Sequence, residues 1–149
     1  VNSPDGYGLY TPDDAKVDQT LEVGGDLQVS GTKNFVQTVD TTGGPKQVAY
    51  TAVEAGEPRT ETTDVAEMDA GRAEIELPEH FDMVTSEEEP LSVQVTPYAK
   101  DQVHPQVVET STEQIVVEDF GDGPQDYTFS YTVKGVREGF EDQEIVRDP

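Results

Sequence analysis

The sequence has no cysteine and no tryptophan, and of its 149 residues only nine are Lys or Arg and two are His. Without cysteine there is no disulfide, no thiolate zinc site, no iron–sulfur cluster and no cysteine nucleophile, although this leaves the compartment open. No run comes near the roughly 18 apolar residues of a membrane span, so no membrane insertion is expected. The shortage of cations argues against nucleic acid and anionic lipid as partners, because both bind through counterion release by Lys and Arg. Val1 is preceded by no Met and followed by neither a basic nor an apolar targeting segment, which reads as a fragment or processed form of something longer.

What the chain has instead is acid. There are 32 Asp and Glu, giving a formal charge of −23. The carboxylates run from Asp5 to Asp148 between Val, Thr, Tyr and Phe, and the longest pure run is Glu87-Glu88-Glu89. Disordered acidic tracts are blocky and poor in aromatics and β-branched residues, so a folded domain is the better reading. A chain of this length can bury about 70% of its unfolded surface, enough for a core without disulfides. Dispersed acids with five lysines fit a surface made for molar salt, where a Debye length of about 3 Å screens the self-repulsion. A halophilic source is therefore expected. The alternative, a mesophilic calcium binder or polyanion mimic, calls for clustered carboxylates.

Residues 1–16 are rich in turn formers without a period and read as a linker or the end of upstream repeats. From Leu21 a hexad of form Leu-x-Val-x-Gly-x occurs twice, placing Leu21, Val23, Leu27 and Val29 on one strand face. So short a pattern cannot cover its own stripe. Either the following domain covers it or copies wind about a threefold axis, which makes 17–33 a candidate β stalk and these four residues candidate oligomerisation residues. From 34 to 142 the chain reads as a series of short strands: Asn34–Thr41, Gln47–Glu54, Thr60–Met68, 72–77, Leu91–Tyr98, Gln106–Glu109, Glu113–Phe120 and 127–134. A turn is expected at 41–45, a helical turn at Pro78–Val84, and an inward face of Tyr127, Phe129, Tyr131 and Val133. The fold class is all-β: an antiparallel β-sandwich over 34–142, preceded by the repetitive stalk and followed by a tail at 143–149.

Candidate chemistry is sparse. His80 and His104 are the only imidazoles, neither lies near a Gly-x-Ser-x-Gly elbow, and no His-Glu-x-x-His is present. No catalytic residue is nominated. Carboxylate pairs for sugar cleavage can always be picked from 32 acids, and the aromatic stacking such a site wants has no Trp to supply it. The loop 118–126 is the one candidate calcium site, with Asp119, Asp122 and Asp126 as oxygen ligands around glycine bends. A hairpin turn on an acidic surface explains that loop equally well. Apart from calcium no cofactor is expected, and no ligand-binding residue is identified.

The string Val23-Gly24-Gly25-Asp26-Leu27-Gln28-Val29-Ser30-Gly31-Thr32-Lys33-Asn34-Phe35 resembles the junction that opens the C-terminal β domain of fibre-like prokaryotic surface proteins and tail-fibre-type virion proteins. Further matching pieces are 53–57, 71–81, 93–97, 115–117 and 131–141, so the resemblance spans roughly residues 21–142; Gly6-Tyr7-Gly8-Leu9-Tyr10 looks like the last unit of an upstream repeat. The departures lie mainly at 54–68. The resemblance implies a non-enzymatic terminal module, trimeric, extracellular on a cell surface or virion, with assembly and possible recognition of a cell-surface glycan or protein as its roles. It carries over no catalytic residue. The alternative is a monomeric carbohydrate- or calcium-binding β-sandwich of a secreted halophilic protein. The charge makes one prediction: the midpoint of thermal unfolding rises as salt is raised from 0.1 to 3 M, and a domain fully folded and indifferent over that range contradicts the high-salt reading.

Overall fold

The computed structural model of the chain describes residues 14–146. They form eight strands and one four-residue helix, and every strand pairing is antiparallel. The chain divides into two compact units between Val53 and Glu54. Most of the expected linker, with its Gly-Tyr-Gly segment, and the end of the tail lie outside the described residues.

The N-terminal unit contains one hairpin, β1 (Asn34–Thr41) and β2 (Gly44–Thr51), paired from Asn34↔Thr51 to Thr41↔Gly44. Both strands had been expected inside the domain at 34–142; they group instead with the residues before the Val53/Glu54 boundary. The second strand starts three residues earlier than its pattern suggests. Only Thr42 and Gly43 make the turn, because Gly44 takes φ of +95° and the Thr41 hydroxyl closes the loop by donating to the Gly44 carbonyl at 2.7 Å. Pro45 is tolerated there because each strand of a two-stranded sheet is an edge. The hexad segment forms no strand within the single chain. It bends at Gly24-Gly25 and at Ser30-Gly31.

The C-terminal unit holds β3 (Arg59–Met68), β4 (Arg72–Glu76), α1 (Glu79–Asp82), β5 (Ser92–Tyr98), β6 (Pro105–Thr110), β7 (Gln114–Asp119) and β8 (Tyr127–Val136). They make two three-stranded sheets, ordered β3-β8-β5 and β4-β7-β6. The first strand of the unit pairs with the last, and the second with the next to last, a nested order set by long-range closure. The alternating strand pattern puts Phe129, Tyr131 and Val133 of β8 on one face, with exposures of 0, 5 and 0%. From the other sheet Ile115 and Val117 of β7 join the same core, with Met68, Ala73, Leu77 and Phe81 of α1 around them. Half-buried Val93, Val95 and Val107 close its margins.

Two residues break the alternation: Val136, on the face of β8 opposite Phe129, is 5% exposed, and Val116 is the other. Val116 belongs to the opposite face of β7 and is nevertheless 2% exposed. Its cross-strand neighbours are Glu74 and Glu109, long side chains whose aliphatic stems screen apolar surface while their carboxylates stay wet. The pairing of β6 with β7 also shifts register between Val107 and Glu109, a bulge that twists an otherwise open edge.

Each fully buried large apolar side chain contributes roughly 1.5–3 kcal/mol, so the central strand is the place where truncation costs most. Phe129→Ala is expected to lower unfolding stability by about 3–5 kcal/mol, measured by denaturant titration in high salt; an unchanged midpoint would show that β8 does not carry the core.

Candidate functional site

The two ends of the C-terminal unit differ in chemistry. At one end, the turn after β3, the loop after β5 and the loop after β7 are stitched together around Asp119, the last residue of β7. Its carboxylate accepts the Tyr127 hydroxyl at 2.6 Å, the Gly121 amide at 2.7 Å and the His104 amide at 3.1 Å. Burial alone would raise the Asp119 pKa, but hydrogen bonds from Tyr127, Gly121 and His104 oppose it and hold it below the usual aspartate value. Burial, and then the bond to Asp119, push the Tyr127 phenol far above its ordinary range. Both shifts favour the pairing of a carboxylate with a neutral phenol.

Around this pair the backbone is tightly tied. The Phe120 amide donates to the His104 carbonyl at 3.2 Å, and the Gln125 side chain donates to the carbonyls of Gly121 and Gly123 at 3.1 and 3.3 Å. A Cβ at Gly123 would sit 2.2 Å from the Gln102 carbonyl oxygen, so the two loops touch main chain to main chain. The β3–β4 turn has positive φ at both centres, +47° at Ala70 and +80° at Gly71, the signature of a type I′ hairpin. Alanine is unusual there. Its strained backbone is held from outside, by the Ala70 amide donating to Asp126 at 3.0 Å and the Gly71 amide donating to the Gln125 carbonyl at 2.9 Å. The result is a preorganised loop surface at whose margin Tyr98 and Phe120 remain 58 and 62% exposed.

The candidate calcium ligands lie at this end but are not brought together. Asp119 is spent on protein donors, Asp126 accepts the Ala70 amide, and Asp122 is exposed on the loop between them. Among the described residues no three His, Asp or Glu side chains converge closely enough to hold a metal ion. The two histidines are also far apart in role: His80 is exposed on α1, and His104 takes part in the loop network through its backbone. Neither imidazole hydrogen-bonds to a hydroxyl or a carboxylate among the described residues. The residues that sequence reasoning missed are Tyr127, assigned to the inward face without its partner, and Gln125; the only available signal was the density of Gly and Asp at 119–126.

The opposite end is acidic. An open cleft of about 590 Å³ lies between Ser86–Leu91 and Thr110–Glu113, and a second of about 460 Å³ adjoins it at Asp82, Glu87, Glu138 and Glu141. Its frame is well satisfied: Thr112 donates to Asp82 at 2.6 Å, the Ser86 amide to the Val136 carbonyl at 2.9 Å, and the buried Thr85 hydroxyl to the Phe81 carbonyl at 2.5 Å. Glu141 is held below its ordinary pKa by hydrogen bonds from its own amide, the Ser86 hydroxyl and the Gly139 amide.

The candidate oligomerisation residues lie in the N-terminal unit. Leu21, Val23, Leu27 and Val29 are exposed by 66, 43, 63 and 43%. No family model, curated protein or solved structure matches the chain.

The Asp119 network generates a pH prediction. A carboxylate whose folded pKa is depressed adds stability that is fully present above its unfolded value and is lost as the pH falls through the folded value. Asp119→Asn is expected to cost about 1.5–3 kcal/mol at neutral pH, a range set by hydrogen bonds to charged groups, and the difference from wild type should vanish once the pH drops below the aspartate range. Equal stabilities of the two proteins at pH 7 would remove Asp119 as the anchor of these loops.

Proposed function

We propose that the chain is a non-enzymatic interaction module at the end of an extended fibre, on a cell surface or virion in a high-salt environment. Copies assemble as a homotrimer through Leu21, Val23, Leu27 and Val29, and the β-sandwich of the C-terminal unit is carried as the terminal head. The observation that supports this reading is the exposure of those four side chains. A monomeric domain would cover such a stripe with its own core, because burying each Leu or Val is worth roughly 1.5–3 kcal/mol. Here the segment is left bare and without a strand of its own, as an element that waits for other copies would be. The sandwich reading draws on the shared core between two three-stranded sheets.

Within this reading the stitched loop end is where a glycan or a protein on another surface would be met. Its loops are held by side-chain and main-chain bonds rather than by burial, which keeps them rigid and still accessible. The exposed rings of Tyr98 and Phe120 also favour a second reading, a monomeric carbohydrate-binding module of a secreted protein.

The two readings part on mass. Light scattering in about 3 M salt, chosen to screen repulsion between copies, is expected to give three times 16.3 kDa, and Leu27→Asp is expected to give a single chain whose β-sheet circular dichroism is retained. A wild-type monomer would sink the fibre reading and leave the monomeric module.

A further inference from the structure

The β1–β2 hairpin is left in a state that hairpins rarely sustain. Two strands alone are marginally stable in water, and this pair is almost entirely exposed. Its register sorts the side chains into two unlike faces. Phe35 lies opposite Tyr50, Gln37 opposite Val48 and Val39 opposite Lys46, which puts Phe35, Val39, Val48 and Tyr50 together on one face with no carboxylate. The other face pairs Asn34 with Thr51, Val36 with Ala49, Thr38 with Gln47 and Asp40 with Pro45. Phe35 and Tyr50 are 60 and 69% exposed, the largest apolar surfaces of the hairpin. In a chain with 32 acids, an exposed aromatic face free of acid is not a face built for brine.

Two further observations say what covers it. The first is phase: the stripe Leu21, Val23, Leu27 and Val29 falls on odd positions, and so do Phe35 and Val39, whereas the acids Asp18, Glu22, Asp26 and Asp40 all fall on even ones. The Lys33 carbonyl accepts the Ala52 amide at 2.7 Å, so the ladder of the hairpin already reaches back towards the hexads. The second is charge. Residues 1–53 carry seven acids and three bases, a net −4, against 25 acids and six bases, a net −19, over 54–149. Copies of the chain repel each other strongly through their C-terminal units and weakly through their N-terminal ones.

We infer that the face bearing Phe35, Val39, Val48 and Tyr50 is a docking surface for further copies of this chain, continuing the hexad stripe so that residues 21–51 assemble as one intermolecular β element. This rests on the assembly reading and extends it from the hexads to the hairpin. It also explains why a two-stranded sheet with an exposed aromatic pair persists next to a stripe that has no cover.

The test compares two substitutions of equal charge on opposite faces, Phe35→Asp and Val36→Asp, in the full chain. Solution mass is followed against protein concentration in about 3 M salt, a screening condition. Phe35→Asp is expected to raise the concentration at half assembly at least tenfold, and Val36→Asp to change it by less than threefold. Circular dichroism of the core strands should be retained in both. Equal effects of the two variants, or a Phe35→Asp chain that assembles like wild type, overturn the docking surface. If Leu27→Asp dissociates the assembly while Phe35→Asp does not, the hexad reading survives and the hairpin inference falls. The reverse pattern keeps the hairpin and removes the hexads, and a monomeric wild type overturns both.

Discussion

The burial of one face of β8 against β7 is the contact on which the C-terminal unit depends. Phe129, Tyr131 and Val133 meet Ile115 and Val117 across the gap between the two sheets, and the remaining strands pair with one or other of these two. That contact has to hold closed a unit with a net charge of −19. Apolar burial is short-ranged and insensitive to sign, whereas repulsion among dispersed carboxylates is long-ranged in dilute buffer and short in brine. Salt shortens the second force and so relieves a small core beneath a heavily acidic surface. The few cations are placed to relieve crowding locally: Arg72 bonds Glu74 and Glu118 on the outside of one sheet, and Lys134 meets Glu61 on the outside of the other. Exposed pairs of this kind add little stability, and they matter here mainly by separating neighbouring acids.

The same closure gives the two ends their characters. Nested pairing of first strand with last gathers three loops at the Asp119 end, where a carboxylate and a phenol replace hydrophobic packing as the organising contact. At the other end the chain leaves and re-enters through α1, the Glu87–Glu89 run and the residues after β8, and carboxylates line open clefts. In the proposed reading recognition falls to the first end, because rigid loops with exposed rings lose little entropy on binding. The acidic end suits orientation and solubility.

The N-terminal unit follows a different logic. Most of its apolar residues from Leu21 to Val39 fall on odd positions, and among the described residues Leu21, Val23, Leu27, Val29 and Phe35 are exposed. Order in the sequence without burial is the basis of the assembly proposed for this unit. The contrast in charge between the units adds to this, since Phe35 and Tyr50 are exposed in the weakly charged unit.

Much of the strand pattern was legible in advance because alternation is a local property. Asn34–Thr41 has the bounds its pattern suggests, and the inward face of Tyr127, Phe129, Tyr131 and Val133 is set by β-formers at spacing two. The all-β class and the antiparallel habit follow from short strands separated by Gly, Pro and Asp. What local pattern could not show is which strand lies beside which. The exclusion of β1 and β2 from the larger unit, the burial of Val116 on the face that alternation assigns to solvent, and the earlier start of β2 all depend on neighbours distant in sequence or on a single glycine's φ. The candidate site was hidden for the same reason. Asp119, Asp122 and Asp126 look alike in a string of acids, and only the approach of Tyr127, His104 and Ala70 separates the carboxylates that bind protein donors from the one that faces water. By itself the sequence determined the charge, the strand periodicity and the apolar stripe, all of them properties of near neighbours. Pairing, burial and the loop network were decided by the tertiary structure, because each requires residues far apart in the chain to meet.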